Sequence, residues 1–143
     1  MISAPGKNFL FVVGILYIVF GVFGIIISVA GLATADFWDR TLPTAIGMSW
    51  SVYYTMALPG CLFHIIVGIM GVKNRTRLEK ASMLRVLGSI DIGLVILGTI
   101  FVFFVFSGAF AVLTAFFTLA LGCVLPILYL VGAQKNHDVY IGQ

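Results

Sequence analysis

The sequence KNRTRLEKASMLR, from Lys73 to Arg85, decides the fold of this chain. It contains five of the eight lysines and arginines and separates two long apolar segments. Short cationic loops between membrane spans stay on the cytoplasmic face of a bilayer. The stretch therefore predicts a basic cytoplasmic loop over residues 73–85, and this loop fixes the orientation of the segments on both sides of it.

The composition excludes an ordinary soluble domain. Hydrophobic residues make up 62% of the chain and charged residues 9%, with a mean hydropathy of +1.18. The net charge of +3 lies mostly beside apolar segments, so it indicates anionic lipid headgroups rather than nucleic acid as its partner. Cys61 and Cys123 lie within apolar segments, which predicts reduced core cysteines and no disulfide, metal site or cofactor.

Four segments are long and apolar enough to cross a bilayer as helices, which takes about 20 residues each. They are residues 9–31, 49–72, 86–106 and 110–131. Seven of the eight cations belong to the two termini and the central loop, and Arg40 alone belongs to the opposite side. The sequence predicts one all-α domain over residues 1–143, an antiparallel four-transmembrane-helix bundle. We expect it in a plasma membrane, multi-pass, with both termini cytoplasmic.

Two local patterns refine this prediction. Thr76-Arg77-Leu78-Glu79 matches a capping box, in which threonine and glutamate side chains satisfy the first helical N–H groups. It predicts that the third helix begins at this point, ahead of the membrane. On the opposite side, aromatic residues cluster in the manner of a headgroup-level belt. They are Phe37, Trp38, Trp50, Tyr53 and Tyr54.

The two halves of the chain resemble each other in sequence. An offset of 74 residues places the first segment on the third, for example Leu10 on Leu84 and Gly14 on Gly88. An offset of 62 residues places the second segment on the fourth, including Lys73-Asn74 on Lys135-Asn136. Either the chain is a parallel repeat of two helical hairpins, or the identities arise by chance between glycine-rich apolar helices.

The polar side chains inside the predicted spans form the candidate site. His64 lies nine residues before Lys73, about 13 Å from the basic boundary, and Asp91 lies six residues after Arg85, about 9 Å from it. Tyr17 and Tyr129 lie at roughly the same depth in the membrane. The sequence predicts an intramembrane polar band of Tyr17, His64, Asp91 and Tyr129. It serves either as hydrogen-bonding glue between helices or as a proton-coupled or ion-conducting site.

The cations of the central loop are the predicted contacts of anionic lipid. These residues are Lys73, Arg75, Arg77, Lys80 and Arg85. Because no phosphate-binding loop, nucleophile elbow or metal-ligand motif is present, we expect no enzyme. The favoured function is a structural or interaction role in the membrane, with a second copy or another membrane protein as partner. A small proton-coupled transporter or ion channel is the alternative.

The chain resembles a group of small uncharacterised bacterial four-span integral membrane proteins. The resemblance is carried by GILYI at residues 14–18, by LPILYLVGA at residues 125–133 and by the Lys135-Asn136 that follows. It implies a four-span fold over most of the chain and no catalytic residue.

Overall fold

The computed structural model of the chain is helical throughout its described elements. It describes residues 4–42, 44, 46–106 and 108–142, with the backbone alone for residues 108–111. The helices are α1 (Lys7–Ala33), α2 (Ala35–Thr41), α3 (Trp50–Asn74), α4 (Ala81–Val105) and α5 (Gly108–Ile141), and a short 3-10 turn covers Leu78–Lys80. The described residues contain no strand, which confirms the predicted all-α class.

Four of these helices, α1, α3, α4 and α5, are long and apolar enough to cross a membrane. With a rise of 1.5 Å per residue, the 25 residues of α3 span about 38 Å, more than the ~30 Å of a hydrocarbon core. Successive long helices run in opposite directions, so the predicted antiparallel four-helix bundle is confirmed. Each of the four helices extends beyond its predicted span at one end or both, and α5 extends furthest, by ten residues at its C-terminal end. Helix α3 begins one residue later than predicted, and α4 ends one residue earlier.

The bundle consists of two helical hairpins. The first hairpin pairs α1 with α3, and the second pairs α4 with α5. The hairpins meet through α1 against α5 and, less extensively, α3 against α4. The buried core lies where all four helices meet, and it contains Leu10, Val13, Tyr17, Val67, Leu84, Tyr129 and Ala133.

The outside of the bundle is apolar. Large hydrophobic side chains on every long helix are exposed, among them Phe23 at 60%, Leu97 at 62% and Leu121 at 69%. A monomeric protein in water rarely exposes such continuous apolar surface, whereas lipid tails solvate it without penalty. The exposed surface and the helix lengths together describe a multi-pass membrane protein.

Contacts between the hairpins follow the repeat in the sequence. Tyr17 touches Asp91, its counterpart at an offset of 74, and Tyr129 touches Val67, its counterpart at an offset of 62. Residues near a two-fold axis meet their own equivalents in this way. The contact pattern therefore fits two hairpins related by an axis along the bundle.

The connection between the hairpins is shorter than the predicted loop over residues 73–85. Helix α3 continues to Asn74, and α4 begins at Ala81 after the 3-10 turn. The predicted capping box at Thr76 does not form, because the residue before the turn is Arg77 and no side chain caps it. The backbone enters α4 through a 3-10 turn, whose tighter hydrogen bonding replaces the side-chain cap.

The opposite end of the bundle, which we call the aromatic end, is built on the start of α3. Asp39 of α2 accepts hydrogen bonds from the Trp50 backbone N–H and the Ser49 hydroxyl, both at 2.8 Å. The Trp50 indole donates to the Leu42 carbonyl at 2.7 Å. Four aromatic rings surround Trp50, with their centroids 5.4–6.3 Å from the centroid of its ring. They belong to Trp38, Tyr53, Tyr54 and Phe106. The loop and the aromatic cluster thus hold each other in place.

Candidate functional site in the buried polar layer

Four polar side chains, one from each long helix, meet in the interior of the bundle. We call this set the polar layer, and it contains Tyr17 of α1, His64 of α3, Asp91 of α4 and Tyr129 of α5. The side chains of Tyr17, Asp91 and Tyr129 are at most 1% exposed. The structure therefore brings together all four residues of the predicted band.

The layer is positioned by helical spacing. On α1, Leu10, Gly14 and Tyr17 lie three and four residues apart and are all buried, as are Leu84, Gly88 and Asp91 on α4. This spacing places each set on one face of its helix. Because leucine and glycine occupy the interior face on both helices, the polar residue that follows them also turns inward.

Asp91 is the centre of the polar layer. The Tyr17 hydroxyl donates a short hydrogen bond to its Oδ2 atom. Oδ1 accepts no hydrogen bond within the described part of the chain. A carboxylate enclosed among apolar helices is costly unless it is paired, protonated or hydrogen-bonded. Within the described residues, the second oxygen of Asp91 is the one buried side-chain polar atom without a hydrogen bond, and its contact is an ion pair with His64.

His64 supplies the charge partner. Its Nε2 lies 3.2 Å from Asp91 Oδ1, within ion-pair distance, and its side chain is 35% exposed while that of Asp91 is 0% exposed. The imidazole also packs against the Tyr17 ring, with centroids 5.4 Å apart. His64 thus links the enclosed carboxylate to the outer surface of the bundle.

Tyr129 closes the layer on the side of α5. Its hydroxyl donates to the Val67 carbonyl at 3.2 Å, and its ring meets the Tyr17 ring edge to face at 5.7 Å. The ring fits against α3 because residue 71 is glycine: a Cβ at Gly71 would lie 2.6 Å from Tyr129 Cε2. The tyrosine therefore ties the second hairpin to the backbone of the first.

The predicted lipid-contact cations lie together at the other end of the bundle, which we call the basic end. Lys73, Arg77 and Lys80 are exposed, and Arg75 and Arg85 are half-buried. The Arg75 guanidinium lies over the Phe11 ring, 4.3 Å from its centroid. Exposure leaves the first three residues free to meet headgroups.

Arg85 has a partner that the sequence does not indicate. Its Nη1 lies 3.1 Å from Nδ1 and 3.2 Å from Nε2 of His137 on α5. Arginine can only donate, so a ring nitrogen of His137 is the acceptor in this contact. The pairing depends on which helix α5 packs against, and no local sequence pattern encodes that choice.

Asn136 is a buried residue that the sequence patterns do not place in a site. Its side chain accepts from the Gly6 N–H at 2.7 Å and donates to the Arg75 carbonyl at 2.9 Å, and it is 0% exposed. It fastens the N-terminus and the central connection to α5. The sequence repeat indicates this residue, because it aligns Asn136 with Asn74 at an offset of 62. Asn74 is also buried in the structure.

The chemistry available to the polar layer is the exchange and sharing of protons. The described residues contain no group of three histidine, cysteine, aspartate or glutamate side chains that could hold a metal ion. Histidine titrates near physiological pH, and aspartate and tyrosine can each hold or accept a proton. The layer can therefore store a proton or stabilise helix packing.

Fold and site together define a four-helix bundle with membrane-spanning proportions and a polar layer at its centre. Comparison of the chain with protein-family models, with curated proteins and with solved structures found no match. The resemblance to small bacterial four-span membrane proteins therefore stays a prediction. The function has to be argued from the geometry of this chain.

Proposed function

We propose that this chain is a non-enzymatic integral membrane protein with a structural or interaction role. The observation that carries the proposal is the enclosure of the Tyr17–Asp91 hydrogen bond, which links α1 of one hairpin to α4 of the other. Tyr17 and Asp91 are 1% and 0% exposed, as expected of a bond whose role is to join helices. The bundle would then present its apolar outer surface to a membrane partner or to a second copy.

The proposal includes an orientation in the plasma membrane. Of the eight lysines and arginines, Lys7, Lys135 and the five within residues 73–85 belong to the basic end, and Arg40 belongs to the aromatic end. This asymmetry favours a cytoplasmic basic end, with both termini inside and anionic headgroups against Lys73, Arg77 and Lys80.

Cysteine labelling tests the orientation. In a chain with Cys61 and Cys123 replaced by alanine, Arg40→Cys should react with a membrane-impermeant maleimide on intact cells. Lys80→Cys should react only after permeabilisation. The reverse pattern would show that the basic end faces outward and would overturn this part of the proposal.

A second candidate function is a small proton-coupled transporter or ion channel that works through His64 and Asp91. The observation that favours it is the ion-pair contact between the buried Asp91 Oδ1, which accepts no hydrogen bond, and a His64 side chain that is 35% exposed. A proton arriving from the surface would meet His64 first and Asp91 next. The carboxylate would then be the coupling residue.

Proton flux in proteoliposomes separates the two candidates. The wild type is compared with Asp91→Asn and with Asp36→Asn, a matched change of an exposed acid at the aromatic end. The structural role predicts no flux above empty liposomes in any sample and a lower thermal stability for Asp91→Asn alone. Wild-type flux that Asp91→Asn abolishes and Asp36→Asn preserves would overturn the structural role and establish the transporter.

A further inference from the structure

The surface between α4 and α5 near the basic end contains an open groove of about 430 Å³. We call it the α4–α5 groove. It is lined by Arg85, Ser89, Leu130, Val131, Gln134 and Lys135. A second recess of about 510 Å³ lies beside it and shares Arg85 and Ser89. Arg85 therefore stands between two open spaces on the outside of the second hairpin.

We propose that the α4–α5 groove binds one anionic phospholipid, with its phosphate on Arg85 and its upper acyl chain along Leu130 and Val131. The proposal deepens the proposed membrane role and rests on it for the location of the groove beside a lipid leaflet. It assigns a discrete site, whereas the exposed cations of the central connection make diffuse contacts.

Arg85 is arranged to receive a phosphate. Its Nη1 contacts His137, and no other hydrogen bond to its guanidinium is present within the described part of the chain. The contact restrains a long side chain and leaves Nε and Nη2 with free donors. A guanidinium presents such donors in a planar fork that matches two phosphate oxygens. Ser89, one helical turn further along α4, adds a hydroxyl to the same groove.

The charges around the groove favour an anionic lipid over a zwitterionic one. Lys135 also lines it, although its ammonium lies over the Phe9 ring, 4.6 Å from the centroid. Asp138 is the nearby acid, and it accepts a hydrogen bond from the Gln134 amide. Two cations against one carboxylate leave one positive charge, which an anionic headgroup neutralises. A choline headgroup would bring its own cation beside Arg85.

The apolar wall of the groove favours a phospholipid over free phosphate. From Lys135 to Leu130 the groove follows α5 for five residues, about 7.5 Å, away from the basic end. Val131 on this wall is 39% exposed. An acyl chain covers such a wall, and inorganic phosphate gains nothing from it. The order of cation first and apolar wall next matches the order of phosphate and acyl chain in a lipid.

Native mass spectrometry of the full chain in micelles tests the site. The micelles contain equal amounts of phosphatidylglycerol and phosphatidylcholine with the same acyl chains. We expect the wild type to retain one phosphatidylglycerol in preference, and Arg85→Gln to lower this preference about fivefold, the effect of one cation near a lipid surface. Lys73→Gln removes an exposed cation outside the groove that meets headgroups only diffusely, and it should lower the preference far less than Arg85→Gln does.

Two further measurements separate binding in the groove from a loss of protein stability and from binding of free phosphate. Arg85→Lys retains the charge and should restore most of the preference even if Arg85→Gln loses stability along with its His137 contact. Equal losses of the phosphatidylglycerol preference in Arg85→Gln and Lys73→Gln would show that the preference is diffuse electrostatic attraction. That result would overturn the discrete site in the groove. If inorganic phosphate stabilises the protein in neutral detergent as strongly as phosphatidylglycerol does, the proposal that the ligand is a phospholipid is wrong. Because these readouts need no membrane orientation and no flux, they can fail while the proposed function stands, or succeed while it fails.

Discussion

The two hairpins pack tightly at equivalent positions but fill those positions differently. In the first hairpin Gly14 faces Gly68, and a Cβ at Gly68 would lie 2.5 Å from the Gly14 carbonyl oxygen. In the second hairpin the equivalents are Gly88 and Leu130, and a Cβ at Gly88 would lie 2.9 Å from Leu130 Cδ2. The first hairpin thus brings two backbones together, and the second seats a side chain on a backbone.

This difference determines how readily each hairpin can repack around a substituted side chain. Small residues on both helices permit the close crossings typical of membrane bundles, because backbones gain dispersion contacts at short range. A carbonyl at such a crossing cannot rotate away from an added methyl group, whereas a leucine side chain can change rotamer. We therefore expect the first hairpin to tolerate substitution less well than the second.

The largest effect is expected for Gly68→Ala. The added Cβ meets the Gly14 carbonyl oxygen, so the helices must separate, and overpacking of this kind costs about 2–3 kcal/mol of unfolding free energy. Unfolding in mixed micelles, followed by tryptophan fluorescence, measures the change. Gly93→Ala on α4 is the matched control: a Cβ there has nothing within 4 Å, and the stability should change by less than about 0.5 kcal/mol. Equal effects of the two changes would refute the backbone contact.

A smaller effect, about 1 kcal/mol, is expected for Gly88→Ala, because the added Cβ meets side-chain atoms and no backbone: Leu130 Cδ2 at 2.9 Å, Leu130 Cγ at 3.0 Å and Tyr129 Cδ1 at 3.2 Å. Leu130→Val should relieve part of this cost when the two changes are combined. The same unfolding assay gives all three values. If the double variant is no more stable than Gly88→Ala alone, the obstacle is not the leucine side chain and the contrast between the hairpins is wrong.

The smallest effect is expected for Tyr129→Phe, which removes the hydrogen bond to the Val67 carbonyl and keeps the ring. Hydrogen bonds between membrane helices average about 0.6 kcal/mol, and we expect a loss of unfolding free energy of this size. Tyr140→Phe, at an exposed position on the same helix, should leave the stability unchanged. A loss well above 2 kcal/mol for Tyr129→Phe would contradict this expectation, because the hydroxyl would then contribute more than one hydrogen bond between membrane helices does.

Much of the fold follows from the sequence alone, because apolar length is a sufficient criterion for a membrane helix. Counting residues from the nearest cation also places His64 and Asp91 at similar depths, and the two side chains are in contact in the folded bundle. Depth depends on the rise per residue, which is constant along a helix. Side chains at one depth on neighbouring helices can therefore be grouped by counting residues alone.

The remaining features depend on how each helix is rotated and on which helices are neighbours. The Arg85–His137 contact joins residues 52 positions apart on α4 and α5, and no local pattern indicates it. The start of α4 predicted from the capping-box residues at Thr76 is too early, because the chain uses a 3-10 turn there instead.

A double-mutant cycle on Tyr17 and Asp91 tests most directly the claim that an enclosed hydrogen bond joins the two hairpins. Unfolding free energies are measured in bicelles for the wild type, Tyr17→Phe, Asp91→Leu and the double variant. We predict a coupling free energy of about 0.6–1.7 kcal/mol, so that the double variant loses less stability than the sum of the single variants. Additive losses would contradict the claim, because they would mean that the two side chains stabilise the bundle independently.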